Sequence, residues 1–161
     1  MNPNEREGQP KYYTMAVSRI INGDSRAWAT ETGSNTVKSE HLFLALLNYS
    51  RGVIPVALRK MGIDSRQLTS RVIEKVTEGK GIVVPEVLSD IGFSDDVREI
   101  VEDSQTDTTS VYVAPQHLML NILLREGRES TMGLEQQGLT YQSFRDTLLG
   151  ILPNIPRQRI I

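Results

Sequence analysis

Two short apolar runs of similar sequence dominate the hydrophobic pattern of this 161-residue chain. Residues 39–47 read Ser-Glu-His-Leu-Phe-Leu-Ala-Leu-Leu, and residues 115–124 read Pro-Gln-His-Leu-Met-Leu-Asn-Ile-Leu-Leu. Each run is long and apolar enough to predict a buried helix. The only two histidines, His41 and His117, occupy the same position in the two runs. The pattern therefore predicts two copies of one helical unit.

The two copies can be aligned by position along the chain. Matched positions lie 76 residues apart without a gap from residue 37 to residue 76. The match pairs Val37 with Val113, His41 with His117, Leu58 with Leu134, Gly62 with Gly138, and Val72 with Leu148. At the start of the copies, Tyr13 and Phe93 are 80 residues apart, so the first helix of the second copy is about four residues shorter.

Four helices are predicted in the first copy. The first begins near Tyr12 and contains Gly23, which costs about 1 kcal/mol relative to alanine and predicts a kink or break. Ser39 is predicted to cap the second helix, because its hydroxyl can accept a first-turn amide hydrogen. Pro55 suits the first turn of a third helix, and Asp64 or Ser65 is predicted to cap the fourth.

The second copy repeats this order. Ser94 is predicted to cap a helix that ends within residues 106–110, and the second apolar run follows. A third helix is predicted to reach Gln137–Gly138, and Thr140 is predicted to cap the last one. The expected fold is all-α with eight helices. The boundaries are a tail at 1–11, copy one at 12–78, a linker at 79–92, copy two at 93–152, and a tail or linker at 153–161.

Composition narrows the classes of function. The formal net charge is −2 and the pI is near 5.7, which argues against a nucleic-acid backbone as the main partner. There are no cysteines, hence no disulfides or thiolate metal sites. The N-terminus lacks the apolar core of a secretory signal, and no apolar run approaches the roughly 20 residues of a membrane span. We therefore expect a soluble cytoplasmic protein.

The repeated unit resembles the Clp repeat. The resemblance rests on a Tyr/Phe-Thr/Ser start, a long first helix, the Glu-His-Leu-x-Leu-x-Leu-Leu run and a Leu-x-x-x-Gly turn before the closing helix. It covers about residues 12–152, and two copies in tandem are similar to the N-terminal domain of Clp/Hsp100 ATPase chaperones of the ClpC and ClpA type. The resemblance implies two four-helix bundles related by a pseudo-twofold axis.

The resemblance also implies a function without chemistry. Such domains recruit substrate or adaptor proteins to a Clp ATPase ring, present in the same chain or as a separate protein. No Gly-x-x-x-x-Gly-Lys-Ser/Thr motif occurs here, so these residues contain no P-loop. We expect no cofactor, metal, nucleic acid or membrane partner. Two alternatives are a free-standing Clp-repeat regulator and a small helical nucleic-acid regulator, in which Arg66, Arg71 and Lys75 would form the basic helix.

Within the family, some members use the glutamate of this motif to bind the guanidinium of phosphoarginine. The resemblance places Glu40 at that position in the first copy and Gln116 in the second, with Thr14 and Ser94 as the neighbouring hydroxyl residues. A carboxylate suits the task because it accepts two parallel N–H bonds, whereas Gln116 supplies no charge. The alternative is that Glu40 is a solvated first-turn acid favoured by the helix dipole.

Other chemistry-bearing residues have simpler interpretations. The two histidines could form a catalytic or metal pair, but neither lies in a cluster with ligand spacing. We interpret each as a structural histidine that bonds a backbone group at the start of its helix. The acidic pairs Asp95-Asp96 and Glu102-Asp103 point about 100° apart on a helix and do not converge. No catalytic residue is predicted.

The groove between the two bundles is the remaining candidate for a binding surface. The sequence predicts an adaptor or substrate patch there if the aromatic side chains are partly exposed. The candidate aromatic residues are Tyr12, Tyr13, Phe93 and Tyr141. Three methionines could also contribute soft, adaptable side chains, or could belong to the core: Met61, Met119 and Met132.

Overall fold

A computed structural model of the chain describes residues 12–77, 91–107 and 112–152. The predicted terminal tails and most of the predicted linker lie outside these residues. Within them, the chain forms seven α-helices, one short 3-10 helix and two pairs of two-residue strands. The all-α fold of two helical repeats is confirmed, and the 3-10 helix stands in the place of the eighth helix.

The elements follow the same order in both repeats. The first repeat contains β1 (Tyr12–Tyr13), α1, β2 (Thr36–Val37), α2 (Ser39–Leu47), α3 (Val53–Lys60) and α4 (Ser65–Thr77). The second contains β3 (Gly92–Phe93), α5 (Asp95–Asp107), β4 (Tyr112–Val113), α6 (Pro115–Arg128), the 3-10 helix (Glu135–Gln137) and α7 (Tyr141–Ile151). Helix α1 is continuous through Met15–Arg19, a π-helical segment Ile20–Asp24 and Ser25–Glu31.

The π-helical segment replaces the predicted break at Gly23. In α5, Ile100 and Ser104 are both buried and lie four residues apart, whereas their buried counterparts in α1, Ile20 and Ser25, lie five apart. One extra residue in an α-helix would rotate everything after it away from the core. The π segment absorbs that residue, so both serines remain buried and donate to the carbonyl four residues earlier, at 2.6 Å in α1 and 2.7 Å in α5.

Three of the predicted helix caps are confirmed. The capping bonds run from Gln67 N–H to Asp64 Oδ1 (3.2 Å), from Val97 N–H to Ser94 Oγ (3.4 Å), and from Ser143 N–H to Thr140 Oγ1 (3.1 Å). The prediction for Ser39 was wrong. Lys38, in an extended conformation, is the N-cap of α2, and Ser39 is already the first helical residue. The His41 ring, two residues further on, accepts the Lys38 amide hydrogen instead.

The third helix is where the repeats differ most. In the first repeat it is α3, eight residues long. The predicted counterpart ending at Gln137–Gly138 was wrong in its extent, because only the three-residue 3-10 turn forms. Helix α6 is longer instead, with 14 residues against nine in α2. The Glu126 carboxylate in its last turns accepts amide hydrogens from Thr131 and Met132 at 3.0 and 3.1 Å, which fixes the chain reversal that follows.

Each repeat pairs its first strand with a strand of the other repeat. The first strand of repeat one, β1, pairs in parallel with β4 of repeat two, and β3 of repeat two pairs in parallel with β2 of repeat one. The residue after each leading strand extends the ladder: Thr14 N–H donates to Val113 O at 3.1 Å, and Ser94 N–H donates to Val37 O at 2.9 Å. Since the two pairs are exchanged by the pseudo-twofold rotation, neither repeat completes its backbone hydrogen bonding alone.

Helices α2 and α6, built from the two apolar runs, pack against each other at the centre of the domain. Every residue of α2 from Glu40 to Leu47 is buried, and so are six consecutive residues of α6, from Leu118 to Leu123. The other helices cover this pair, with α3 packing across the repeat boundary on α6 and α7. A single continuous hydrophobic core results.

We expect Leu118→Ala in α6 to destabilise both repeats together. Leu118 is fully buried, so the substitution should lower the free energy of unfolding by about 2–5 kcal/mol. Trp28, the only tryptophan, lies in α1 of the other repeat. Its fluorescence and the far-UV circular dichroism should therefore lose their native values at one shared, lowered urea midpoint.

The exposed residue Gln142 in α7 provides a control, and Gln142→Ala should leave the midpoint nearly unchanged. A Trp28 transition that stays at the wild-type midpoint in Leu118→Ala would show that the repeats unfold independently.

Candidate functional site

An apolar groove lies where the first helices of the two repeats approach each other. Its volume is about 270 Å³. The lining residues are Tyr13, Ile21, Phe93, Val97, Arg98, Val101, Glu102 and Gln105. Four of its apolar side chains, those of Tyr13, Ile21, Phe93 and Val101, are half-buried, so they present surface to solvent while remaining packed on the core. A concave apolar surface with a few polar side chains at its edge is the usual form of a binding site.

Each aromatic ring of the groove is held by a side chain from the helix of the opposite repeat. The Gln105 side-chain amide in α5 donates to the Tyr13 hydroxyl of β1. The Arg26 guanidinium in α1 lies 4.8 Å from the centre of the Phe93 ring of β3, close enough for a cation–π contact. Arg26 also donates through Nε to Ile91 O at 3.3 Å. The two contacts are related by the pseudo-twofold rotation and fix the rings at the repeat boundary.

Arg26 and Gln105 were not predicted as site residues. Their equivalence is visible only after the π segment is known, because the extra residue changes the offset between the repeats from 80 to 79. The sequence alone shows an arginine and a glutamine at positions that an ungapped comparison does not match.

The groove includes half of the predicted aromatic patch. Tyr13 and Phe93 meet there, whereas Tyr141 lines a different cavity of about 380 Å³, together with Leu123 and Leu124. The side chain of Tyr12 lies outside the described residues. Of the three methionines, Met119 and Met132 are buried in the core, at 0% and 4% exposure, and Met61 packs against it.

The four predicted phosphoarginine residues fall into two groups, each drawn from both repeats. The β2–β3 pair brings Ser94, at the start of α5, beside the start of α2, which carries Glu40. The β1–β4 pair brings Thr14, at the start of α1, beside the start of α6, which carries Gln116. Thr14 Oγ1 accepts the Val17 amide hydrogen at 3.2 Å, so it also caps its helix.

These two groups have diverged in polarity. Glu40 is 8% exposed, and the positions around it are polar: Thr36 in β2 and the acidic first turn of α5, Asp95 and Asp96. At the pseudo-twofold-related positions around Gln116 stand Tyr112 and Met15, which are 54% and 90% exposed. One group is thus acidic, and the other combines a neutral amide with exposed apolar side chains.

The structural interpretation of the two histidines is confirmed. His41 Nδ1 accepts the Lys38 amide hydrogen and His117 Nδ1 accepts the Ala114 amide hydrogen, both at 2.9 Å. In a neutral ring the proton then lies on Nε2, and the His41 Nε2–H points to Thr32 Oγ1 at 2.9 Å. His41 therefore joins the start of α2 to the end of α1.

The charged residues outside these groups include two ion pairs within the second repeat. Arg125 of α6 pairs with Asp96 at 3.7 Å and with Glu99 of α5, which joins two helices of the second repeat.

Within the described ranges no three histidine, aspartate or glutamate side chains converge as metal ligands. No helix of this part of the chain is long and apolar enough to cross a membrane. Arg71, from the proposed basic helix, donates to the Gln137 side chain.

The fold and its exchanged strands define a class, a helical domain made of two unequal copies of one unit. A model of the Clp repeat (R) N-terminal domain matches residues 13–132, and the chain belongs to this family.

Similar proteins agree with this assignment. Chaperone protein ClpB of Oceanobacillus iheyensis is 25% identical over 132 residues, which is 80% of this chain and 16% of that protein. The negative regulator of genetic competence ClpC/MecB of Bacillus subtilis is 24% identical over 128 residues, 77% of this chain and 15% of that protein. The chain thus spans about one sixth of the length of the curated relatives it matches.

Solved structures share the fold. The N-terminal domain of ClpD from Arabidopsis thaliana superposes with a TM-score of 0.66 at 18% identity, over 88% of this chain and 95% of that one. The Hsp104 N-terminal domain from Candida albicans gives a TM-score of 0.66 at 14% identity, over 88% and 91%. At such identities the likeness establishes the fold alone.

We expect Tyr13 to make the stability of the domain depend on alkaline pH. Burial raises the pKa of the Tyr13 hydroxyl above its ordinary value of 10.0, and the hydrogen bond from Gln105 partly offsets this. A raised folded-state pKa gives stability that is present below the unfolded pKa and is lost as the pH rises through the folded one. The advantage of wild type over Tyr13→Phe in free energy of unfolding should therefore shrink as the pH rises above the ordinary tyrosine pKa of 10.0.

Urea titrations of both proteins at several pH values measure this difference. Tyr49→Phe, in the loop after α2, is the matched control and removes a tyrosine outside the groove. A wild-type advantage that stays constant or grows with pH would contradict the assignment.

Proposed function

We propose that this domain recruits substrate or adaptor proteins to an ATP-dependent Clp unfoldase or protease in the cytoplasm, and that it performs no chemistry itself. The groove between the repeats is the observation that carries the proposal. It offers half-buried apolar side chains on a rigid floor, because its rings are held from both repeats. Such a surface suits an apolar protein segment. The ATPase ring acts in the same chain or as a separate protein.

Family membership supports this proposal independently of the groove. The relatives are named as chaperones and as ATP-binding subunits of a Clp protease. An affinity capture tests the proposal directly: the domain is immobilised and exposed to cell extract with and without an added Clp ring. We expect enrichment of quality-control clients or adaptors, and recovery of none would count against the recruiting role.

Val101→Glu should weaken capture through the groove. Val101 lines the groove without belonging to the fully buried core, so the fold should tolerate the change. Losing the contact between this valine side chain and the bound client should cost about 1.5 kcal/mol of binding free energy. This corresponds to a roughly tenfold higher dissociation constant. Fluorescence anisotropy with a captured client measures it.

Asp103→Asn is the matched control, because Asp103 is exposed on α5 and does not line the groove. Its affinity should match the wild type. Equal affinities for wild type and Val101→Glu would place the binding surface elsewhere on the domain.

We further propose one phosphoarginine pocket, at Glu40 and Ser94. A carboxylate can accept two parallel N–H bonds from a guanidinium, and the β2–β3 pair places the Ser94 hydroxyl residue beside the start of the helix that carries Glu40. The related group at Thr14 and Gln116 lacks a carboxylate at the motif position, and its exposed neighbours are apolar. The pocket is therefore expected in one repeat only.

Calorimetric titration with free phosphoarginine should give about one site per domain, and Glu40→Ala should abolish it. Gln116→Ala is the control and should leave the stoichiometry and affinity unchanged, because the amide supplies no charge. Two equal sites in the wild type, or no binding at all, would reject this pocket while leaving the groove untouched.

A further inference from the structure

The floor of the groove is nearly symmetric. The pseudo-twofold rotation exchanges Tyr13 with Phe93 and Ile21 with Val101, which are pairs of similar size and polarity 80 residues apart. A floor of this kind contacts an apolar ligand almost equally well in two opposite directions. Direction must then come from the side chains at the edge of the groove.

The edge is not symmetric. Helix α5 contributes Arg98 and Glu102, which line the cavity on one side. The related positions on α1 are Ser18 and Asn22, and neither carries a charge. Arg26, a charged residue of α1 close to Phe93, donates to Ile91 O and Asn22 O at 3.3 and 3.1 Å and does not line the cavity. Charge at the groove edge is therefore concentrated on α5.

The spacing of the two charged residues defines a complementary partner. Arg98 and Glu102 are four residues apart, so they lie on one side of α5 with Cβ atoms about 5–6 Å apart. A helix that lays an apolar stripe on the groove floor can present an acidic and a basic residue, one turn apart, to this edge. In the opposite direction the same helix would turn these residues toward Ser18 and Asn22 of α1, which carry no charge.

We propose that the groove binds an amphipathic helical segment of a partner protein in one direction only, selected by Arg98 and Glu102. The preferred segment carries an acidic residue opposite Arg98 and a basic residue one turn away opposite Glu102, beside its apolar stripe. This inference rests on the proposed recruiting function and specifies the ligand class of the same groove. In this proposal the apolar floor of the groove provides the binding affinity, and the charged edge on α5 determines the direction in which the helix binds.

Two synthetic helical peptides test the inference. They share one apolar stripe and one composition, and they differ only in the order of a glutamate and a lysine spaced four residues apart on one flank. Binding to wild type is measured by fluorescence anisotropy, alongside the charge-swapped variant Arg98→Glu/Glu102→Arg. Residue order also changes the helicity of the free peptides, so the quantity compared is the affinity ratio of the two peptides on each protein.

We expect wild type to prefer one peptide by about fivefold, as two exposed ion pairs allow, and the swapped variant to prefer the other. The swap Arg66→Glu/Glu74→Arg on the exposed face of α4 is the matched control, with the same change of residues, and should leave the wild-type ratio unchanged. The same affinity ratio on wild type and swapped variant would overturn the directional inference but leave the recruiting function intact. Binding of neither peptide would overturn both for this groove.

Discussion

The exchange of strands between the repeats is the constraint on which the rest of the domain depends. Each leading strand, β1 or β3, finds its hydrogen-bond partner in the other repeat. The backbone groups of each leading strand would therefore lose these partners if the two repeats separated. The exchange also sets the first helices side by side, and their approach creates the groove. The groove is thus a product of the duplication and belongs to neither copy alone.

The two repeats depart from pseudo-twofold symmetry mainly at the surface. The core and the caps keep the symmetry closely, as the paired histidine caps and buried serines show. The symmetry is lost at the surface, where Glu40 is matched by Gln116 and where Arg98 and Glu102 of α5 are matched by the uncharged Ser18 and Asn22 of α1. A duplicated domain offers every surface position twice. At such positions the two copies can diverge without disturbing the shared core.

The third helix shows how far a repeat can change while the core persists. In the second repeat most of this helix is lost, yet Leu134 and Leu139 beside the 3-10 turn remain buried. The longer α6 and its Glu126 cap hold the shortened connection in place. Sequence comparison matched Gly62 with Gly138, and both have positive φ, at 71° and 81°, so the turn is retained although the helix before it is not. The glycine specifies the turn conformation, whereas helix length depends on the packing around it.

The sequence by itself determined the duplication, the helical class and the capping role of the histidines, because apolar periodicity and cap residues act locally and repeat at a fixed spacing. It placed Ser94 and Thr14 near the starts of their helices, but it did not show which helix of the other repeat lies beside each of them. Only the tertiary structure decided the strand exchange, since two-residue strands have no detectable pattern. Tertiary packing also selected the π segment over a break at Gly23. Burying Ser25 in register with Ser104 required one residue to be absorbed, and long-range contacts, which local sequence does not encode, made that the favoured solution.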